Sequence, residues 1–258
     1  MKQLHPLVLE NRSVASGYYE LRFSWESDET PLPGQFVTLR VAERPTPLLR
    51  RPFAFSSFDP QRREAAVIYQ DRGKGTREMV GYRTGDRLDL LGPLGHGFPG
   101  APEGATVYLI AGGVGMGPIF FTAEERARAG GSSTLILGAR SRVQLPDIEF
   151  SRRIRYSPCT DDGSAGFAGT SVDRFVTLLE KDSPAHPVIY TCGPEPMMHR
   201  LTEIAEEREI PIWVSMEQTM GCAVGACLGC AVRVKGEMRY ARVCTEGPVF
   251  DGKEILWT

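Results

Sequence analysis

The chain has 258 residues, 41% hydrophobic and 24% charged, enough at roughly 100–200 residues per domain for about two domains with a buried core. Thirty Lys and Arg against 32 Asp and Glu leave a formal charge of -2, so bulk charge selects neither nucleic acid nor an anionic membrane surface. No run approaches the ~20 apolar residues of a membrane-spanning helix, Pro6 and Glu10 break the short apolar start, and six cysteines are too few for a disulfide scaffold; the sequence reads as a soluble, cytoplasmic protein.

Up to about residue 100, short β-rich runs at 34–41, 52–56 and 65–70 are separated by Pro, Gly and Asp, a texture that predicts a small barrel or sandwich. Arg50 and Arg51 open the second of these runs, and Gly73-Lys-Gly-Thr76 offers an N–H-rich turn before a predicted helix at 77–82. A guanidinium fork and a helix start both suit phosphate oxygens, though a solvated basic strand end has the same residues. From Thr106 the pattern changes to predicted strands at 107–111, 135–137, 154–159, 188–192 and 212–215, alternating with helices at 118–129, 171–181 and 195–208. Such alternation implies a parallel sheet. Met197 and Met198 fall in the apolar spacing of the last helix and read as core.

Gly112-Gly-Val-Gly-Met-Gly117 follows a strand and opens a helix, as a pyrophosphate-binding turn does. Pro118 stands where the third glycine of G-x-G-x-x-G would fall, so a plain tight turn also accounts for it. Thr191-Cys-Gly-Pro-Glu-Pro-Met197 ends a later strand, on the edge where open α/β sheets bind ligands. His96, His186 and His199 have no nucleophile or metal-spacing companion and read as structural.

After Glu217 the chain turns Gly- and Cys-rich. Cys222, Cys227, Cys230 and Cys244 are spaced C-x4-C-x2-C-x13-C, the plant-type [2Fe-2S] pattern of three clustered thiolates and one distant one. Gly221, Gly225 and Gly229 allow a tight loop whose N–H groups point at sulfur, and those donors with Arg233, Arg239 or Arg242 would raise the reduction potential. Zinc is the alternative, since it also takes four thiolates, usually as two short pairs. Ala223, Val224, Ala226 and Leu228 fill the intervals between ligands; they either form an interface or pack inward over the centre.

Arg51-Pro-Phe-Ala54, Gly75-Thr76, Gly92-Pro-Leu-Gly-His-Gly-Phe98, the glycine turn, Thr160-Asp-Asp-Gly163, Cys192-Gly-Pro194, Met216-Glu217 and the four cysteines occur together and in order. In these the chain resembles the ferredoxin-reductase superfamily and, within it, the family of electron-transfer subunits of NAD-dependent dihydroorotate dehydrogenase. The resemblance implies an α/β plus all-β fold: an FAD-binding Greek-key β-barrel over 1–101, a parallel-sheet NAD-binding domain over 102–216, and a small [2Fe-2S] lobe over 217–258. It implies that Arg51 contacts the FAD phosphates, that Pro52, Phe53 and Ala54 run along the flavin, and that Ile68, Tyr69, Gln70, Gly75 and Thr76 complete that site. Gly112, Gly113, Gly115, Gly193 and Pro194 would hold NAD, and Cys192 would lie near the flavin and nicotinamide as a catalytic residue. Ala54 stands where the family usually has Ser, which removes one hydrogen bond to the flavin region and leaves Ser56 or Ser57 as nearby hydroxyls.

NAD takes a hydride and a cluster carries one electron, so a flavin belongs between them. The resemblance accordingly implies transfer from the FMN of a catalytic partner subunit through [2Fe-2S] and FAD to NAD+ in pyrimidine biosynthesis, in a heterotetramer with two of each chain. Dihydroorotate oxidation would occur on that partner, with no nucleic acid or membrane involved. Two other readings fit parts of the same pattern: the related flavin and iron–sulfur subunit of a sulfide dehydrogenase, ferredoxin-NADP transhydrogenase or hydrogenase, and a non-enzymatic iron–sulfur sensor.

Overall fold

The computed structural model describes residues 1–42, 47–237 and 239–257. The first half supplies β1 (Lys2–Leu4), β2 (Val8–Ala15), β3 (Tyr18–Ser24), β4 (Phe36–Arg40), β5 (Arg51–Asp59), β6 (Glu64–Gln70) and β7 (Asp89–Leu94), with α1 (Lys74–Val80) between the last two. These strands form one antiparallel sheet in the order β1-β7-β4-β5-β6-β3-β2. Its apolar side encloses Phe23, Phe55, Tyr69 and Leu90, all at most 1% exposed. Sequence patterning misses β1 to β3 because charge interrupts them. Glu20 on β3, for example, is buried at 8% exposure and is held by Arg12 at 2.9 Å and Arg22 at 3.4 Å.

The second half supplies β8 (Thr106–Gly112), α2 (Met116–Arg128), β9 (Ser133–Ala139), β10 (Ile154–Thr160), β11 (Phe167–Ala168), α3 (Ser171–Asp182), β12 (Pro187–Cys192), α4 (Glu195–Glu207) and β13 (Ile212–Ser215). The predicted alternation is therefore present. The sheet order is β11-β10-β9-β8-β12-β13, all pairs parallel, as continuous apolar runs such as Val107–Ala111 require when both faces are covered. α2 starts two residues before the predicted boundary because Pro118 falls in its first turn, where a missing N–H costs nothing. α1 likewise starts at Lys74 rather than 77, with the Thr76 hydroxyl accepting from the N–H groups of Arg72 at 3.0 Å and Gly73 at 3.1 Å.

The remaining strands are β14 (Ala231–Arg233), β15 (Tyr240–Arg242) and β16 (Val249–Asp251). β14 and β15 form a small hairpin, while β16 joins the large sheet antiparallel to β13. The cysteine segment thus leaves that sheet after Ser215 and returns to it at Val249. α2 links the two sheets: Ile119 and Phe120 pack with the parallel sheet, and Phe121 packs into the antiparallel one. Among the described residues no helix is long and apolar enough to cross a membrane.

Candidate functional site

Three openings of ≈ 770, 650 and 200 Å³ share lining residues where the two sheets meet. The smallest is walled by Phe53 and Ala54 on β5, Ile68 to Gln70 on β6, Thr76, Val114 and Gly115, Cys192, and Ser215 to Gln218. The 650 Å³ opening adds Arg51, Gly112, Gly113, Gly193 and Pro194. Of the residues expected around FAD, only Gly75 is not on these walls, and it has another task. A Cβ there would lie 2.8 Å from Nε of Arg51, so glycine gives that guanidinium its place above α1.

Arg50 and Arg51 separate clearly. Arg50 is bound to Asp89 through both carboxylate oxygens at 2.7 and 2.8 Å and donates to the Asp89 carbonyl at 2.9 Å. Burial alone would raise the Asp89 carboxyl, but the Arg50 and Gln3 hydrogen bonds hold it below its ordinary value. Both arginines line the 650 Å³ opening, but Arg50 braces the start of β5 to β7 through Asp89, whereas Arg51, among the described residues, donates only to the neighbouring Leu49 carbonyl and keeps the rest of its fork toward the cavity.

The glycines of the expected NAD site also divide. A Cβ on Gly115 would fall 2.2 Å from the Cys192 carbonyl oxygen, and one on Gly193 would fall 2.9 Å from the Gly112 backbone nitrogen, so these residues let the ends of β8 and β12 approach each other. Gly113 has φ +56 and would meet only the Tyr18 hydroxyl, at 3.4 Å, which leaves it open to the cavity. Met198 is buried at 2% exposure as expected, although it borders the 650 Å³ opening, and Met197 lines the 770 Å³ opening and accepts a hydrogen bond from Ser171 at 3.2 Å.

Cys192 pairs in register with Ser215 across β12 and β13, and both line the smallest opening beside Glu217. Burial pushes its thiol up to about 12, with the Glu217 charge adding to the effect, so it is a neutral thiol at physiological pH. Ala54 presents no hydroxyl to this opening. Neither Ser56 nor Ser57 replaces it: Ser56 is buried with its hydroxyl unpartnered and its Cβ facing Gly117 on α2, and among the described residues neither is on the cavity wall.

The cysteines sit at the end of the same wall, since Met216 to Met220 line the openings and Cys222 follows two residues later. The backbone N–H groups of Val224 and Cys227 approach Cys222 Sγ at 3.5 and 3.4 Å and, together with the Cys227 thiol, pull Cys222 down to about 7. Cys244 is pushed up to about 11 by burial and by its neighbour Cys230. The thiols thus stand as two pairs, Cys222 with Cys227 and Cys230 with Cys244. Among the described residues no three His, Cys, Asp or Glu side chains converge on one ion position. Four thiols, three clustered and one distant in sequence, fit the donor set of a binuclear centre with two thiolates per iron. Positive φ at Ala223, Gly225 and Leu228 turns the loop around the sulfurs. Arg242, one of the cations expected near the thiols, lies within electrostatic reach of Cys230 and Cys244 while pairing with Glu246, holding that carboxyl down to about 2, and donating to the Gly225 carbonyl at 3.0 Å. The apolar interval residues split, with Ala223 buried at 3% exposure and Leu228 outward at 63%.

Sequence reasoning missed Tyr18, Arg72, Arg140 and Gln218 on the cavity walls. They come from strand ends and connections with no motif of their own.

The profile of the iron–sulfur cluster binding domain of dihydroorotate dehydrogenase B matches residues 217–256. The dihydroorotate dehydrogenase B (NAD(+)) electron transfer subunit of Geobacillus thermodenitrificans is 39% identical over 254 residues, 96% of each chain, and that of Desulforamulus reducens is 38% identical over 255 residues, 97% of each. Among solved structures, that of the NADH-dependent reduced ferredoxin-NADP oxidoreductase superposes with a TM-score of 0.85 at 26% identity, over 98% of this chain and 90% of the other. A ferredoxin reductase of carbazole 1,9a-dioxygenase superposes at 0.71 and 19% identity, over 82% of this chain and 68% of the other. Fold and site together define an oxidoreductase of ferredoxin-reductase-like fold with an iron–sulfur segment at its carboxyl end. Within that class, the chain belongs to the family of dihydroorotate dehydrogenase B electron transfer subunits.

Proposed function

We propose that this chain carries electrons between NAD(H) and a separate, FMN-containing dihydroorotate dehydrogenase subunit, in an assembly of two chains of each kind in the cytoplasm. The division into a closed FAD-binding Greek-key barrel over 1–101, an NAD-binding domain over 102–216 and a [2Fe-2S] lobe over 217–258 belongs to the same reading. FAD would be held by Arg51, Pro52, Phe53, Ala54, Ile68, Tyr69, Gln70 and Thr76, with Gly75 supporting Arg51. NAD(H) would lie against Gly112, Gly113, Gly193 and Pro194, and Cys222, Cys227, Cys230 and Cys244 would hold the cluster. When bound, FAD supplies exchange of a hydride with nicotinamide and of single electrons with an iron–sulfur centre.

The chain's own side chains bind, orient and insulate. Arg51 offers a planar fork to phosphate oxygens. Burial keeps the Cys192 thiol protonated at neutral pH, so it would position a ring and not act as a base. Val224, Leu228 and Tyr240, at 39%, 63% and 59% exposure, put apolar and aromatic side chains on the outer side of the cysteine segment, beside Arg242 and Glu246, a surface suited to a partner subunit.

The observation that carries this reading is continuity: the segment lining the cavity runs directly into a loop with thiols in two pairs. Anaerobically purified protein should contain about two irons and two labile sulfides per chain beside one FAD that NADH bleaches. Stoichiometric zinc without labile sulfide overturns the cluster, and no bleaching by NADH overturns the nucleotide site.

A further inference from the structure

The ≈ 770 Å³ opening lies beyond the glycine turn, at the carboxyl ends of β8, β9 and β10 and beside the start of α3. In doubly wound folds the end of the second strand commonly carries an acid that receives the ribose 2′-hydroxyl of NAD, or an arginine nearby that accepts the 2′-phosphate of NADP. Here the residue after β9 is Arg140, the phosphate-accepting type, in a family named for NAD(+). The next strand supplies the missing carboxylate. Thr160 is in register with Ala139, so Asp161 follows β10 at the level of Arg140, and both line the opening.

Of the other charged groups on this wall, Asp173 and Arg200 are engaged. Asp173 caps α3 through Thr170 at 2.7 Å, and Arg200 pairs with Glu203 at 2.8 Å. Asp162, next in sequence, takes both the N–H and the hydroxyl of Ser164 at 2.9 and 2.5 Å. Arg72 lines the neighbouring opening as well, which places it nearer the pyrophosphate turn than the strand ends. Among the described residues Arg140 and Asp161 have no side-chain hydrogen bond or ion pair. Their backbones are nevertheless tied: Asp161 N–H to Ala139 at 3.1 Å, Asp162 N–H to Arg140 at 3.2 Å, Arg140 N–H to Gln144 at 3.3 Å, and Arg142 N–H to Ser164 at 2.8 Å. Two groups of opposite charge thus follow adjacent strands and line one opening without pairing.

We propose that Asp161 is the residue that selects NAD(H) over NADP(H), accepting a hydrogen bond from the ribose 2′-hydroxyl and repelling a 2′-phosphate that Arg140 would otherwise bind. This rests on the reading that the opening takes the adenosine half of the dinucleotide. The test is isothermal titration of the FAD- and iron-loaded protein with ADP-ribose and with 2′-phospho-ADP-ribose, alongside flavin bleaching by NADH and NADPH. Asp161→Asn should shift the affinity ratio toward the 2′-phosphorylated ligand by about tenfold or more, the scale of one charge-assisted contact, and Asp161→Ser should shift it the same way. Adding Arg140→Ala to Asp161→Asn should cancel the gain. An unchanged ratio in both single variants overturns the proposal, as does a gain that survives loss of Arg140. If wild-type protein binds neither ligand and NADH leaves the flavin oxidised, the nucleotide site itself is misplaced, which is a different failure.

Discussion

The cysteine loop and the cavity are both ligand sites in construction, yet they are assembled in opposite ways. Four thiols come from one stretch between Cys222 and Cys244, whereas the cavity draws on segments from Tyr18 to Met220. A contiguous site is specified by spacing and fails at a single residue; a composite one is specified by topology and loses function by degrees. Cys227→Ser tests the first half of that contrast and should have the largest effect: loss of the cluster absorbance, with FAD content unchanged because no cavity wall includes Cys227. Loss of flavin in the same variant would mean that the two regions fold as one unit.

The arginine pair sharpens the second half. Arg51→Ala should weaken FAD binding by roughly 10- to 100-fold, the ~1.5–3 kcal/mol of a charge-assisted phosphate contact, with little change in the melting temperature of flavin-free protein. Arg50→Ala should do the reverse, retaining FAD while lowering the melting temperature, because it strands the partly buried Asp89 carboxylate. Equal flavin loss in both would dissolve the distinction.

Leu228→Glu probes the outer face of the cysteine hairpin. NADH-driven flavin reduction in the isolated chain should be unaffected, while electron transfer with the catalytic subunit should fall at least about tenfold, since docking would desolvate a new charge. Loss of the cluster with partner binding intact would show that the side chain packs inward.

The smallest effect concerns Cys192. In iron-free protein, iodoacetamide at neutral pH should label Cys222, held near 7 by backbone donors, well before Cys192, held near 12 by burial. Because the folded state raises the Cys192 value, its neutral form favours folding fully below the ordinary thiol range, and that contribution is lost as pH climbs toward 12. Mass spectrometry of labelled peptides reads the order, and early labelling of Cys192 would show that its thiol is not held up.

Legibility followed the same divide. The parallel sheet could be read because its buried strands are unbroken apolar runs, and the cysteines because metal ligation imposes spacing. β2 and β3 could not, since paired charges such as Arg12 and Glu20 hide their alternation. Gly115 and Gly193 were legible as glycines but not in their task, which is close packing of two strand ends, information carried only by the fold. Arg140 and Asp161 lie on successive strand ends far apart in sequence, and only the register of β9 with β10 makes them neighbours.

β16 returns the chain to β13 after the cysteine excursion, and Gly95, where a Cβ would fall 2.5 Å from Pro248, locks that return against the first sheet. A carrier hinged at one end works as a shuttle, and its turnover slows when a thickener such as glycerol damps its swing. A loop stapled at both ends is wiring. Electron delivery by this chain should therefore be indifferent to solvent viscosity, leaving nucleotide exchange and subunit docking as the only diffusive steps.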